Sequence, residues 1–182
     1  MFHDSLLLFS GNHRSTSLKY LSIINGISIN RIAEIGVYKG KNAKYLRMLF
    51  PEAELYLIDP WKLTDSYLKM GGPPSKKVEA YQEAYQEVCQ NFKDDTKTHI
   101  LRMSSVEAAK KTPMMDLVFI DASHDYHNVK IDIQTWKTKT TNGGILAGHD
   151  YHSSFPGVVK AVDQFLEDVI LLPGDIWAYI NK

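Results

Sequence analysis

Two acids and two histidines in this chain are placed where a reaction would need them. Asp121 closes the apolar run DLVFID, and Asp150 closes GGILAGHD. His124 follows the first acid by three positions, and His149 immediately precedes the second. Carboxylates are hard oxygen ligands suited to Mg²⁺, which keeps several waters when bound. An imidazole has an ordinary pKa of about 6.5, so it can take or give a proton near neutrality. An aspartate after a strand also caps the following helix, and one such acid alone would read that way. Two of them, each beside a histidine, read as a site.

The elements around these residues explain how they could meet. Each acid ends a near-continuous apolar run, the pattern of a strand buried on both faces of a helix-covered parallel sheet. Ligands of such sheets bind outside the carboxyl ends of the strands. Earlier runs repeat the pattern: Arg31–Gly36, Glu54–Asp59 and His99–Met103. Helices are predicted between them. Leu18, Leu21 and Ile24 mark one over about 16–27, capped by Ser15 or Thr16. A short one follows Gly40 and stops at Pro51. Lys76–Phe92 carries Tyr81, Tyr85, Val88 and Phe92 as a core-facing stripe. Ser104 and Glu107 form a capping box. Val129, Ile133 and Trp136 share a face, and Pro156–Glu167 is a further helix. Val169–Leu172 and Asp175–Asn181, joined by Pro173-Gly174, must run antiparallel. The predicted fold is a doubly wound, mainly parallel α/β sheet with a terminal antiparallel hairpin. It is expected to be a single domain over 1–182, its core over about 30–181.

The turn after the first strand, Glu34-Ile35-Gly36-Val37-Tyr38-Lys39-Gly40, suits a bound cofactor. Gly36 permits a sharp bend and close ligand approach, and Gly40 permits close helix packing. Asp59 ends the second strand, where a carboxylate can accept both hydrogen bonds of a ribose diol. The G-x-G-x-x-G dinucleotide fingerprint is absent.

Bulk properties narrow the function. Lys+Arg and Asp+Glu are equal at 21 each, so no basic field favours nucleic acid. Cys89 is the only cysteine, which points to a reducing, cytoplasmic setting. No apolar run is long enough to cross a membrane. Leu6–Phe9 lacks the flanks of a signal peptide. The irregular stretch 60–75, with Gly71, Gly72, Pro73 and Pro74, is a long loop of a kind that is either functional or disordered.

These motifs together resemble class I S-adenosylmethionine-dependent methyltransferases. E-x-G-x-x-x-G follows the first strand, IDPW the second, S-S-x-E the third, and DLVFIDxxH the fourth. The region from Asp116 to Tyr151 is similar to the branch of sugar and macrolide O-methyltransferases and cephalosporin hydroxylase-like proteins. The resemblance covers about residues 30–180 and implies a Rossmann-like methyltransferase fold. It implies S-adenosylmethionine as cofactor. Glu34 would face its methionine end, and the loop Gly36, Val37, Tyr38, Gly40 would frame it. Asp59 would hold the ribose, with Pro60 or Trp61 near adenine and Ser104 and Ser105 at the adenine rim. Trp61 could equally pack beneath the loop.

The resemblance also implies a Mg²⁺-like ion on Asp121 and Asp150, which would help ionise a weakly acidic sugar hydroxyl. Two departures stand out. An acidic pair of that branch appears here as His149-Asp150, and an expected basic acid is Ser123. Serine is no base at neutral pH, so His124 or His149 becomes the candidate base, with His149 also a candidate third ligand. Imidazole would admit Mn²⁺, Fe²⁺ or Zn²⁺. His127 is expected on the helix surface. Tyr151 and His152 could line the acceptor pocket, and Lys62–Lys77 could cover it.

The reading is therefore a methyltransferase acting on a small hydroxylated acceptor such as a sugar or glycan unit. Two alternatives stay open: a metal-dependent hydrolase built on the Asp/His cluster, and a non-catalytic cofactor-binding module. A homo-oligomer also stays open.

Overall fold

The computed structural model describes residues 13–62 and 78–182. In chain order the elements are α1 (His13–Ile24), β1 (Arg31–Ile35), α2 (Lys41–Leu49), β2 (Glu54–Ile58), α3 (Val78–Asn91) and β3 (Thr98–Leu101). Then come α4 (Ser105–Lys111), β4 (Met115–Ile120), α5 (Tyr126–Lys137), β5 (Thr140–Gly148), α6 (Pro156–Phe165), β6 (Ile170–Leu172) and β7 (Ile176–Ile180). One seven-stranded sheet has the order β3-β2-β1-β4-β5-β7-β6. The pairs from β3 to β5 are parallel, and β7 lies antiparallel between β5 and β6. The predicted architecture is thus the observed one. The order turns back beside β1, where β2 lies on one side and β4 on the other. That switch point opens a crevice at the carboxyl ends of the strands.

Alternation of side chains along each strand feeds two cores, one per face. Ile32, Leu55, Leu57, Leu117 and Phe119 pack with Leu18 of α1, Leu46 of α2 and Val88 of α3. Ile35, Val118, Ile120 and Leu146 pack with Ala108 of α4, Ile133 and Trp136 of α5 and Val162 of α6. The capping box predicted at Ser104 is present, with the Ser104 side chain accepting from Glu107 N and the Glu107 carboxylate accepting from Ser104 N.

Several local expectations change. Ser15 and Thr16 do not cap α1, because the helix already runs from His13; Ser15 is buried and donates to Asn42 Oδ1 (2.6 Å). Strand β5 starts at Thr140, before the expected Asn142-Gly143-Gly144 break. Met115 pairs with Thr140 and Leu117 with Ile145, so residues between them bulge from the ladder. The α3 stripe is only partly core: Val88 and Phe92 are buried, but Tyr81 is half-buried and borders the crevice. The expected covering loop lies outside the described residues except for Lys62.

The tightest point of the fold is Gly36. Its φ is +89°, and a Cβ there would lie 2.6 Å from the carbonyl carbon of Asp121 and 2.7 Å from Ala122 Cα. Gly36→Ala must therefore part the ends of β1 and β4, at a stability loss of at least about 2 kcal/mol. Urea denaturation measures this; an unchanged midpoint would show that the two ends separate freely.

Candidate active site

The crevice is a cleft of about 570 Å³ bordered by the turns after β1, β2, β3, β4 and β5. Ile35, Gly36 and Tyr38 line it from the first turn, and Ile58, Asp59, Pro60 and Lys62 from the second. Ser104, Ser105 and Val106 line it beyond β3. Asp121, Ser123, His124 and Asp150 close the other end. Gly36, Tyr38, Asp59, Pro60, Ser104 and Ser105 thus share one cleft with Asp121, His124 and Asp150, whereas Glu34, Val37, Gly40, Trp61 and His149 do not line it.

Asp59 organises the cofactor side. Its Oδ2 accepts from Tyr38 N (2.9 Å) and its Oδ1 from Trp61 N (2.6 Å), which ties the first two turns together. Tyr38, Trp61 and Asp150 all have positive φ (48°, 43° and 62°). Left-handed backbone in large residues is costly and clusters at functional sites, and these three sit at the carboxyl edge of the sheet.

Three residues of the predicted cofactor set stand away from the cleft, and Trp61 takes the second of its two expected roles, packing beneath the loop. Trp61 is only 1% exposed; its Nε1 donates to Tyr38 O (2.7 Å), and its ring packs on Tyr85 at 5.1 Å. It braces the loop from below. Val37 is likewise buried in the core. Gly40 stands off the cleft with φ +71°, where a Cβ would meet Val88 Cγ2 at 3.0 Å. The constraint there is helix packing.

Glu34 lies beneath the first turn, 1% exposed. Asn42 Nδ2 donates to its Oε1 (3.1 Å), while its Oε2 is buried without a partner. Burial pushes its carboxyl up to about 8, against the lowering effect of Asn42. An orphaned acceptor beside the binding turn fits a cationic group such as an ammonium.

At the reacting end, Asp150 sits between two imidazoles. His124 Nε2 lies 2.7 Å from its Oδ2, and His149 Nδ1 lies 2.7 Å from its Oδ1. The His149 contact is close but poorly directed, and that buried nitrogen has no satisfied hydrogen bond. Burial opposes ionisation of Asp150, but the two histidines outweigh it and hold the carboxyl well below its usual range. Asp150 in turn raises His124, against partial burial. Asp121 is raised by burial, an effect that Arg14 and His149 offset in part. His149 Nδ1 is 3.9 Å from Asp121 Oδ1. His149 does not line the main cleft; it borders a small void behind it.

The helix-cap role suspected for Asp121 belongs to Asp125, whose Oδ1 accepts from Asn128 N (3.1 Å) at the start of α5. His127 is exposed, as expected. Tyr151 and His152 do not line the cleft. Tyr151 Oη donates to Asp163 Oδ1 (2.6 Å), and His152 contacts Ser154 on the surface.

Ligand atoms of Asp121, His124 and Asp150 lie within 4.8 Å of one another. Two hard oxygens and one imidazole make a donor set that suits a divalent ion. His149, the third ligand read from the sequence, stands 2.7 Å from Asp150 and 3.9 Å from Asp121, and His124 joins the grouping as a further imidazole. Three further participants were not read from the sequence. Arg14 of α1 donates from Nη1 to Asp121 Oδ2 and lines the cleft. Asn42 links Ser15 to Glu34. Asp132 of α5 also lines the cleft, and burial raises its carboxyl to about 6, opposed by Ser105. Arg14 and Asp132 are ordinary helix polars by pattern, and only long-range contact gives them a role.

A sheet that reverses at β1, with a glycine turn, an acid after the second strand and an antiparallel last strand, defines the class I methyltransferase fold. The chain belongs to a methyltransferase domain family, whose model matches residues 33–151, and is a class I S-adenosylmethionine-dependent methyltransferase. No curated protein matches it in sequence. Among solved structures it is similar to the O-methyltransferase NovP, with 15% identity, TM-score 0.65, and coverage of 94% of this chain and 81% of that one. The calicheamicin methyltransferase CalS11 gives 16% identity, TM-score 0.61, and coverage of 97% and 83%. The N-methyltransferase NodS from Bradyrhizobium japonicum gives 16% identity, TM-score 0.61, and coverage of 92% and 94%. The shared fold alone therefore does not distinguish oxygen from nitrogen acceptors. No helix among the described residues is long and apolar enough to cross a membrane.

The raised Glu34 carboxyl has a consequence for stability. Its folded value, about 8, lies above the ordinary 4.5, so the folded state holds the proton more tightly than the unfolded state. Its contribution is therefore most favourable below about 4.5 and is lost as pH rises toward 8, at roughly 1.4 kcal/mol per pH unit in that window. Glu34→Gln should gain on the wild type in urea midpoint between pH 5 and pH 8. A constant difference across that range would contradict this account.

Proposed function

We propose that the chain transfers the methyl group of S-adenosylmethionine to a hydroxyl of a small acceptor such as a sugar or glycan unit. One observation carries this: the Asp59 turn and the His124–Asp150 pair face a single cleft. The names of NovP and CalS11 as O-methyl and sugar-related enzymes support a hydroxyl acceptor; CalS11 is described as a TDP-rhamnose 3'-O-methyltransferase.

The cofactor supplies a sulfonium methyl that a nucleophile displaces in line. This chain must hold the cofactor, align the hydroxyl and remove its proton. Asp59 meets the ribose diol; a carboxylate offers about four acceptor positions, so it can do this and still anchor both turns. Glu34 receives the methionine ammonium at its orphaned oxygen. Pro60, Ser104 and Ser105 border adenine, with Tyr38 and Tyr81 beside the opening. His124 takes the hydroxyl proton, and Asp150 orients its ring and stabilises the imidazolium. Ser123 is too weak a base to share this role. His149 supports Asp150 from behind.

A divalent cation, where present, would be held by Asp121, His124 and Asp150, and would lower the pKa of the acceptor hydroxyl. In that case His124 becomes a ligand, and the base is a separate group. A hydrolase would use the same three residues, and micromolar S-adenosylhomocysteine binding would count strongly against it.

Two measurements separate the roles. Asp59→Ala should lose S-adenosylhomocysteine binding by calorimetry. His124→Gln should keep it while losing on the order of 10²- to 10⁴-fold in turnover; normal turnover of this variant would remove His124 from the chemistry. The raised His124 also sets a pH dependence. In chelated buffer, kcat/KM should rise with pH through a value above 6.5, since only neutral imidazole accepts a proton. Asp150→Asn should move that acidic limb to lower pH while reducing the rate. A limb that stays in place would assign it to another group.

A further inference from the structure

We propose that Arg14 is a switching ligand. In the structure described it pairs with Asp121; when S-adenosylmethionine binds, Arg14 moves to the cofactor's methionine carboxylate and opens Asp121 to a divalent cation. This rests on the proposed methyltransferase reading in its metal-assisted form, in which His124 is a ligand, and adds to it an order of loading.

The cofactor carries two charges at its methionine end. Glu34, with a buried and unpartnered Oε2, suits the ammonium. The carboxylate needs a donor nearby. Among the described residues lining the cleft, the cations are Arg14 and Lys62. Lys62 acts electrostatically on Glu107, in the capping box beside Ser104, so it serves the adenine side. Arg14 acts on Glu34, Asp121 and His124. It is the cation at the methionine and reacting end.

Its position is built in. Ser15, the next residue, donates to Asn42, and Asn42 donates to Glu34. That buried chain fixes the first turns of α1 over the end of β1. The Arg14 side chain itself remains 36% exposed, so it has room to swing. A guanidinium fork also matches carboxylate geometry, whether on Asp121 or on an amino acid.

Asp121 is where the roles collide. The atoms that would hold a divalent ion come from Asp121, His124 and Asp150, and the Arg14 guanidinium is already seated on Asp121 Oδ2. A cation and a guanidinium on the same carboxylate repel each other. Arg14 on Asp121 therefore opposes cation binding there. A carboxylate that receives Arg14 relieves that opposition. By linkage, the cofactor then raises cation affinity, and the cation raises cofactor affinity equally.

The test uses the full chain, Mn²⁺ as probe and S-adenosylhomocysteine, which keeps the methionine carboxylate. Mn²⁺ binding is followed by electron paramagnetic resonance or calorimetry, with and without S-adenosylhomocysteine. In the wild type, S-adenosylhomocysteine should tighten Mn²⁺ binding on the order of tenfold. Arg14→Gln should bind Mn²⁺ more tightly than wild type without S-adenosylhomocysteine. In this variant the coupling should disappear, and S-adenosylhomocysteine should bind on the order of tenfold more weakly. Arg14→Lys, which keeps the charge but not the fork, should retain part of both effects. Unaltered S-adenosylhomocysteine affinity in Arg14→Gln, equal coupling in both proteins, or no Mn²⁺ binding by either would each overturn the proposal. If Arg14→Gln does not fold, the wild type decides: coupling supports the switch and its absence overturns it. Failure of the wild type to bind S-adenosylhomocysteine would instead overturn the methyltransferase reading itself.

Discussion

Everything at the cleft depends on how closely the ends of β1 and β4 approach. Gly36, just beyond β1, leaves no room for a side chain against the backbone of Asp121 and Ala122. Gly36 N donates to Ile58 O, and Asp121 N donates to Ile35 O, so the turns after β1, β2 and β4 share one hydrogen-bonded seam. The turn after β1 and Asp121 are thereby held side by side. Under the proposed mechanism, slack in this seam would misalign the methyl donor and the acceptor, and alignment is a large part of catalysis in an in-line transfer.

The second organising force is charge held out of water. Glu34, Asp121, Asp132 and Asp150 are all at least largely buried around one cleft. Each is handled differently. Glu34 and Asp132 have raised carboxyls through burial. Asp150 stays ionised through two imidazoles, and Asp121 is partly offset by Arg14. Such a cluster is unfavourable for folding alone, because desolvated charge costs several kcal/mol per ion before it is compensated. The strained backbone at Tyr38, Trp61 and Asp150 adds to that cost at the same edge. Large apolar cores on both faces of the sheet, with Trp136 and Trp177 fully buried, offset it.

The local grammar of the chain is legible in its sequence. Apolar runs ending in Asp59, Asp121 and Asp150 located three of the strand ends, and the capping box at Ser104 located a helix start, because these signals involve neighbours in sequence. Side-chain direction was less clear. Trp61 follows Asp59 by two residues, which left contact with the cofactor and packing beneath the loop equally open, and its ring is buried in the core. Tyr81 sat in a helical stripe that suggested burial, yet it lies in the first turn of α3, half-buried, and borders the cleft. Tyr151 follows Asp150 directly, but its hydroxyl is taken by Asp163 of α6.

The sequence by itself determined the sheet, its doubly wound order and the residues at the strand ends, because hydrophobic period and turn chemistry are local properties. It also narrowed the chemistry to an Asp/His set facing a nucleotide-type cofactor turn. Only the tertiary structure decided which of these groups touch. Arg14 reaches Asp121 across 107 positions, and Asn42 joins α1 to Glu34. His124 comes within 4.8 Å of both Asp121 and Asp150. Pairings of this kind depend on where the packed helices bring their surfaces, and no periodicity along the chain records that distance.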